Sequence, residues 1–355
     1  MTELARPGGR QAAAPSEPDR AAAARDRLPE AAADRGPRRA RLPLRSRGPA
    51  RPGRSRGSRR TDRATPYLLL APAALILGLV LGYPLVRLVL LSFQDYGLRA
   101  LFTGQAPWNG FANYEHVFTG GEFGPVLLRT LVFCAALVLG TLLIGMLVAL
   151  LLGALGRRMR AAVTLSLICA WAVPSVAATL VWQWLFEPGY GVVNWLLTQL
   201  GIFGDLTQHE WFSSSFSAFC VIWLLVVWQS VPFVALTLRA GLSQIPRAYY
   251  ETAAISGAGA WTSFRLVTLQ FLRPILLLVT ILSVIWDFNV FNQIWILTQG
   301  GPMGGTTTLG VWSFTQAFST EAYGQGAAIA VVTVVLLLVL TVYYVRRLVR
   351  AGEQW

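Results

Sequence analysis

The chain has 355 residues, of which 54% are hydrophobic and 13% are charged, and its mean hydropathy is +0.52. Soluble domains are rarely this apolar, so the composition excludes an ordinary soluble enzyme and favours a membrane protein. The formal net charge of +13 comes from 30 arginines, because the chain contains no lysine.

Residues 1–63 differ in composition from the rest of the chain. They contain 17 Arg and 7 acidic residues, with many Ala, Pro and Gly and few large apolar side chains. Such a segment cannot bury enough apolar surface to fold, so we expect a disordered cytoplasmic extension. Two alternatives are a tether to anionic lipid or nucleic acid, and a start site placed too far upstream. The charged region is too long for a secretory signal peptide.

Six apolar segments follow, each long enough to cross a bilayer: residues 68–91, 126–155, 161–186, 216–238, 275–298 and 327–345. A spanning helix needs about 20 apolar residues, and in lipid a continuous helix satisfies its own backbone hydrogen bonds. The sequence therefore predicts an all-α membrane protein with six transmembrane helices over residues 66–350.

The arginines indicate how these spans are oriented. They follow spans two, four and six: Arg157, Arg158, Arg160, Arg239, Arg247, Arg265, Arg273, Arg346, Arg347 and Arg350. The other loops carry mainly acidic residues. The positive-inside bias therefore predicts that both termini and the loop of about residues 239–273 are cytoplasmic, in a multi-pass protein of the cytoplasmic membrane.

Metal and nucleotide sites are not expected in this chain. Its three cysteines lie in separate predicted spans, and its two histidines lie in external loops, without the spacing of metal ligands. A phosphate loop of the G-x-x-x-x-G-K-[ST] type cannot occur without lysine. We therefore expect no cofactor bound by this chain.

Polar and aromatic side chains in spans four and five mark a candidate solute path. Polar groups at membrane depth are costly, so they usually face the protein interior or a watery cavity. Positions 285, 289, 292, 293 and 296 are expected near one helical face. Amides and carboxylates hydrogen-bond sugar hydroxyls, and indole rings pack on sugar C–H faces. The candidates are Trp228, Gln229, Trp286, Asp287, Asn289, Asn292 and Gln293.

A structural alternative exists for each of these residues. Tryptophans concentrate at membrane interfaces, and polar side chains hold neighbouring helices together. The triplet Gly300-Gly301-Pro302 after span five is likewise explained as a helix stop.

The cytoplasmic loop contains the segment Tyr249-Tyr250-Glu251-Thr252-Ala253-Ala254-Ile255-Ser256-Gly257-Ala258. It resembles the coupling loop of importer-type ABC transporter permeases, whose pattern is roughly Y-E-A-A-x-x-x-G-A. Thr252 replaces the first Ala, and Gln270 stands where Pro is usual. The resemblance implies a short cytoplasmic helix pair that docks on an ATPase. The coupling residues would be Pro246, Tyr250, Glu251, Ala253, Ala254, Gly257 and Ala258, with Glu251 near the start of the second loop helix.

The end of span five resembles that of permeases for carbohydrates. The segment from Phe291 to Pro302 matches F-[DN]-x-I-x-x-L-T-x-G-G-P, an ending typical of maltose- and glycerol-phosphate-type permeases. The resemblance covers about residues 66–350. It implies the ABC importer permease fold and a place in the bacterial inner membrane.

The same resemblance implies partners and a solute. These are a second homologous permease subunit, two cytoplasmic ATPase subunits carrying ATP and Mg, an extracytoplasmic solute-binding protein, the lipid bilayer and a small solute such as a sugar or polyol. The chain itself would perform no covalent chemistry.

Three other functions remain open. The first is an ABC permease for another small solute, such as a polyamine or an amino acid. The second is an ion-coupled secondary transporter, although Asp287 is the one buried acid that the spans offer and no inverted hydropathy repeat is visible. The third is a membrane-anchored nucleic-acid-binding protein, although no nucleic-acid partner is expected.

Overall fold

The structure is a computed structural model that describes residues 61–352, with side chains for residues 67–346. The segment predicted to be disordered therefore lies outside the described residues, except for its last three positions, which begin the first helix. All regular elements in the described part are helical, apart from one isolated β-bridge between Gln94 and Trp108. The predicted all-α class is confirmed.

The α-helices are numbered in chain order: α1 (Thr61–Leu77), α2 (Tyr83–Ser92), α3 (Leu98–Thr103), α4 (Ala112–Thr119), α5 (Phe123–Ala154), α6 (Arg157–Ala172), α7 (Ser175–Leu185), α8 (Val192–Leu200), α9 (Ser215–Leu242), α10 (Arg247–Ile255), α11 (Ala260–Ser263), α12 (Leu269–Phe288), α13 (Asn292–Thr298), α14 (Leu309–Phe314) and α15 (Tyr323–Gly352). Three π-helical stretches join or extend them: Gly78–Gly82 between α1 and α2, Phe264–Thr268 between α11 and α12, and Thr315–Ser319 after α14.

Five helical stretches of the described chain are long and apolar enough to cross a membrane: Tyr67–Ser92, Phe123–Ala154, Ser215–Leu242, Ala260–Thr298 and Tyr323–Arg346. A sixth crossing results if α6 and α7, which are bent by 100° to each other, count as one span. These segments correspond to the six predicted spans, and the third is made of two pieces.

The expectation of a continuous helix is wrong for span three, because Pro174 interrupts it. Val173 and Pro174 both adopt extended conformations, with ψ angles of 126° and 136°. Proline lacks an amide hydrogen and disfavours the helical conformation of the residue before it. The helix must therefore end at Ala172 and restart at Ser175.

Span five also contains a short break, although Ala260–Thr298 remains one helical stretch. Helix α12 ends at Phe288 and α13 begins at Asn292. The side chain of Asn289 donates to the carbonyl of Ile285 at 2.8 Å, a local hydrogen bond of the kind that competes with helix continuation. Residue 285 thus lies before this break and residues 292, 293 and 296 lie after it, so the single polar face expected of an unbroken helix stays a prediction.

The core is built around α5 and α9, which pack along each other, with α12 and α15 completing the bundle. Trp223 of α9 lies against Gly140 of α5, where an added Cβ would clash with the indole ring. The indole Nε1 also donates to the carbonyl of Ala136 at 2.9 Å. A glycine at position 140 therefore allows the two central helices to approach closely.

At the start of α5, Arg129 holds the loop that follows α13. The guanidinium Nη1 of Arg129 donates to the carbonyls of Gly304 and Thr307, each at 2.9 Å. The loop is further closed by Thr306, whose hydroxyl bonds Thr298 and the carbonyl of Gly301. The predicted helix stop at Gly300 is confirmed, since α13 ends at Thr298.

Candidate functional site

Two regions carry the predicted functional residues, and the first is the loop between α9 and α12. It forms a helix pair, α10 and α11, joined by residues 256–259. Pro246 caps the start of α10 in an extended conformation. At the other end of α10, the amide of Ala258 donates to the carbonyl of Ala253 at 2.9 Å. The amide of Gly257 donates to the carbonyl of Ala254 at 3.0 Å. These two hydrogen bonds form a Schellman motif, in which a residue in the left-handed conformation ends the helix.

Gly257 supplies that left-handed residue, with φ of +77° and nothing within 4 Å of an added Cβ. Only glycine adopts this conformation without strain. The backbone conformation of the turn therefore requires glycine at this position, whether or not a partner approaches it closely.

One side of α10 is anchored to span five. The hydroxyl of Tyr250 lies 2.9 Å from that of Thr268, which is buried, and the ring of Tyr249 packs edge-on against Phe271. Ala253 and Ala258 are half-buried beneath the helix pair. The inner face of the loop is thus fixed by contacts within the chain.

The other side of the helix pair is exposed and partly apolar. Ile255 is 89% exposed and Trp261 is 73% exposed, together with Ala254 and Glu251. Glu251 lies in the middle of α10, which corrects its expected position near the start of the second loop helix. It has no ion-pair partner within residues 67–346, so its carboxylate is free for an external partner.

The second region lies around Gln229, halfway along α9. Gln229 is the fifteenth of the 28 residues of this helix, so about 20 Å of helix separates it from either end. Its Nε2 donates to the carbonyl of Val173 at 3.1 Å, and its Oε1 lies 3.5 Å from the Nε2 of Gln293. Because α7 and α13 also pack together, the two discontinuous spans meet at this glutamine.

Backbone groups at the same level of the bundle lack their usual partners within a helix. Val173 lies in the break between α6 and α7, and Pro232 has no amide hydrogen to donate to the carbonyl of Trp228. Asn289 and Asn292, on either side of the break in span five, are exposed. Irregular backbone and exposed amides at membrane depth are tolerated only against protein or a water-filled cavity.

Aromatic rings flank Gln229 on both sides. Trp182 of α7 lies 5.9 Å from Trp228, measured between ring centroids. One turn further along α9, Phe233 contacts Trp286 at 5.2 Å and stacks with Trp171 at 6.3 Å. Among the predicted path residues, the structure thus joins Gln229 directly to Gln293, while Trp228 and Trp286 make aromatic contacts with Trp182 and Phe233.

The comparison with protein families decides which class of protein this is. The family model described as "Binding-protein-dependent transport system inner membrane component" matches residues 141–352. The chain belongs to this permease family. That membership removes the alternatives of an ion-coupled carrier and of a nucleic-acid-binding protein.

Individual relatives match the permease over most of its length. The diacetylchitobiose uptake system permease protein DasB of Streptomyces coelicolor is 46% identical over 300 residues, covering 84% of this chain and 91% of the relative. The trehalose/maltose transport system permease protein MalF of Thermococcus litoralis is 32% identical over 282 residues, covering 79% and 92%. A solved bacterial ABC transporter involved in the import of the acidic polysaccharide alginate shares the fold, with a TM-score of 0.70 at 20% identity over 82% of this chain and 97% of that one.

Asp287 is placed apart from the other candidates in this permease. It is 5% exposed and follows Val284 by three residues, on the side of α12 where Val284 packs with Cys134, Leu309 and Trp312. Its neighbour Trp286 faces Phe233 on the opposite side. The carboxylate oxygen Oδ2 of Asp287 is buried without a hydrogen-bond partner. The structure therefore does not bring Asp287 to Gln229 and Gln293.

Several residues of these regions were missed from the sequence. Val173 contributes a backbone group, which no residue pattern reveals, but Pro174 inside an apolar span was a readable signal of the break. Trp171 and Trp182 were assigned to an apolar span and given no role. Ile255, a large apolar side chain in a polar loop, is 89% exposed and was likewise given no role.

The described residues contain no cluster of three or more His, Cys, Asp or Glu side chains that could hold a metal ion. Cys134, Cys169 and Cys220 are all free thiols.

Proposed function

We propose that this permease subunit carries a carbohydrate across the cytoplasmic membrane, with Gln229, Gln293, Asn289 and Asn292 along the solute path. The observation that carries the proposal is the meeting of two discontinuous helices at Gln229, halfway through the bundle. Amide groups there can exchange hydrogen bonds with sugar hydroxyls, and indole rings can cover sugar C–H faces. Trp228 and Trp286 would supply such rings.

Relatives support this choice of solute. A diacetylchitobiose permease and a trehalose/maltose permease match the chain over most of its length. We extend their solute class, carbohydrates, to this protein. A polyamine or amino acid importer is the second candidate, and the side chains near Gln229 offer no charge that such a solute would require.

The helix pair α10–α11 would dock on a cytoplasmic ATPase, with Glu251, Ile255 and Trp261 at the contact. ATP and Mg would be bound by that partner. Two ATPase subunits, a second homologous permease and an extracytoplasmic solute-binding protein would complete the importer, with both termini of this chain in the cytoplasm. Closure of the ATPase dimer would move the coupling loops and expose the path alternately to the two sides.

Solute uptake by the reconstituted importer tests the proposal. The complete complex in proteoliposomes, with its binding protein outside and ATP inside, should accumulate labelled disaccharide and not spermidine or amino acids. Gln229→Leu should reduce uptake up to about tenfold at equal protein content, since one hydrogen bond is worth about 0.5–1.5 kcal/mol. Gln199→Leu, the same change on exposed helix α8, should leave uptake unchanged. Accumulation of the amine or amino acid instead of the sugar would refute the carbohydrate assignment.

A further inference from the structure

An apolar segment without charge lies outside the spans, in the loop between α7 and α9. It covers residues 188–204 and includes helix α8. The segment contains no Asp, Glu, Lys, Arg or His, although Glu187 and Asp205 stand directly on either side of it. A contiguous apolar surface on a loop marks a contact with a membrane or with another protein.

One side of α8 is held by polar contacts within the chain. The buried side chain of Asn194 donates to the carbonyl of His209 at 3.0 Å and accepts from the indole Nε1 of Trp211 at 2.6 Å. The hydroxyl of Thr198 accepts from the amide of Leu206 at 3.0 Å. These bonds fix α8 to the second half of the loop and determine which side of the helix faces outward.

The outward side of α8 is apolar, and the apolar surface continues past the end of the helix. Trp195, Leu196 and Leu200 are exposed on this side. Directly after the helix, Ile202 is 70% exposed and Phe203 is 66% exposed. Side chains of this size are rarely left in water as a group.

Two glycines shape the turn that carries Ile202 and Phe203. Gly201 and Gly204 have φ of +67° and +79°, and neither has a neighbour within 4 Å of an added Cβ. Glycine adopts this left-handed conformation without strain, so the chain can turn on both sides of the two apolar residues. Ile202 and Phe203 therefore project from the loop.

The loop is tied to the ends of two spans. Trp211, which bonds Asn194, packs edge-on against Phe186 at 5.6 Å, and Phe186 directly follows α7. Helix α9 begins four residues after Trp211. The amide of Gly189 donates to the carbonyl of Thr207 at 2.8 Å and closes the base of the loop. Helix α8 therefore lies close to the level at which spans three and four leave the membrane.

We propose that α8 and the turn at Ile202 and Phe203 form an interfacial anchor, which inserts its apolar side into the lipid leaflet on the predicted external side. Amphipathic helices lie at the boundary of headgroups and acyl chains with their apolar side about 5–10 Å deep. Tryptophans such as Trp195 are enriched at this boundary. Because residues 188–204 contain no basic side chain, apolar contacts hold the anchor, and attraction to anionic headgroups does not.

The extracytoplasmic binding protein is the other occupant to consider for this surface. Non-obligate protein interfaces are about as apolar as the rest of a protein surface and have a polar rim. The exposed side of α8 and the turn after it lack charge altogether and lie next to the ends of two spans. These properties favour lipid over a protein that arrives from water.

Depth-dependent fluorescence quenching tests the anchor. An environment-sensitive fluorescent amino acid takes the place of Phe203 in the complex of the two permeases and the ATPase, in lipid nanodiscs without binding protein. Lipids with a nitroxide on the acyl chain should quench this probe at least about threefold more than the same probe at exposed Glu210. Iodide in the water should quench the two positions in the opposite order.

Two outcomes of this experiment would overturn the proposal. The first is stronger quenching of the probe at position 203 by iodide than by the lipid nitroxide. The second is protection from iodide that develops only after the binding protein is added, which would assign the surface to that protein.

A pair of variants and a change of lipid identify what holds the anchor. Ile202→Asp should raise iodide access at position 203 several-fold, because a charge is costly in the apolar layer, and Gln208→Asp in the exposed part of the same loop should not. Replacing about a third of the phosphatidylcholine with phosphatidylglycerol should change the quenching less than about twofold. Unchanged iodide access in Ile202→Asp, or a several-fold gain in lipid quenching with phosphatidylglycerol, would contradict an anchor held by apolar contacts.

Discussion

The hydroxyl of Tyr250 in helix α10 lies 2.9 Å from the hydroxyl of Thr268, in the π-helical stretch that leads into α12. This bond joins the exposed helix pair to the start of span five. From Thr268, α12 runs without interruption to Phe288, next to the break that holds Asn289. A displacement of α10 by a docked partner would therefore be passed to the proposed solute path through one helix.

Tyr250→Phe should weaken this link without unfolding the loop. The change removes a single hydroxyl and leaves the ring in place, so the loss is about 1 kcal/mol. We expect solute-dependent ATP hydrolysis by the reconstituted importer to fall several-fold, with membrane abundance unchanged. Thr268→Val should have the same effect, and the double variant should be no worse than either single one. Additive effects would show that the two hydroxyls act independently.

Glu251→Lys should impair ATPase docking while leaving the six spans in place. Glu251 is exposed and unpaired in the described chain, so its replacement breaks no internal contact. A partner surface that complements a carboxylate would meet a like charge, which costs several kcal/mol at a docking site. Co-purification of the ATPase with the permease is the measurement. Arg247→Glu on the same helix is the matched charge reversal, and equal loss in both variants would show that α10 is sensitive to any charge reversal rather than to loss of this carboxylate.

Ile255→Ser should also reduce ATPase co-purification, through loss of apolar contact. A side chain that is 89% exposed contributes little to the stability of the isolated chain, so the fold should be unaffected. Burial of an isoleucine against a partner is worth about 1.5–3 kcal/mol, which predicts a loss of affinity of about tenfold or more. Thr262→Ala, an exposed polar truncation on α11, serves as the control. Full retention of the ATPase by Ile255→Ser would place the docking surface elsewhere.

The sequence predicted the helical class, six apolar spans and the helix pair well, because span length and polar interruptions are local properties of the chain. The breaks at Pro174 and at Asn289 were not predicted, and only the first had a local signal. The side of α12 on which Asp287 lies is set by packing against α5 and α14. No local sequence pattern predicts that packing. The contact between Val173 and Gln229 joins residues 56 positions apart and involves a backbone group, so it becomes visible only in three dimensions.

Asp287→Asn should be tolerated, because the structure places this residue away from Gln229. The amide keeps the size of the side chain and removes a charge whose Oδ2 is buried without a partner. An unpaired buried charge is destabilising, so abundance should stay the same or rise. Uptake and membrane abundance are measured together, with Asp205→Asn in the exposed loop between α8 and α9 as the control. A strong loss of uptake at normal abundance would show that the carboxylate takes part in transport.

Gly257→Ala tests whether ATPase docking depends on the backbone conformation of the coupling loop rather than on side chains at its surface. The added methyl group meets nothing within 4 Å, so the variant changes only the cost of the left-handed conformation at φ of +77°. That cost is about 1–2 kcal/mol for a residue with a Cβ. It should disturb the turn between α10 and α11 and lower ATPase co-purification several-fold. Gly259, two residues later, is the matched control, since it has φ of −69° and equally open surroundings.

Gly259→Ala should therefore retain the ATPase, and Gly257→Asn should retain more of it than Gly257→Ala, because asparagine tolerates the left-handed region better than other side chains do. The order of ATPase retention among the three variants distinguishes an effect of backbone conformation from an effect of side-chain size. If asparagine at position 257 is worse than alanine, side-chain size at the docking surface matters more than the backbone angle. Gly257 would then be a contact residue for the ATPase, and the turn would owe its form to the hydrogen bonds of Ala253 and Ala254 alone.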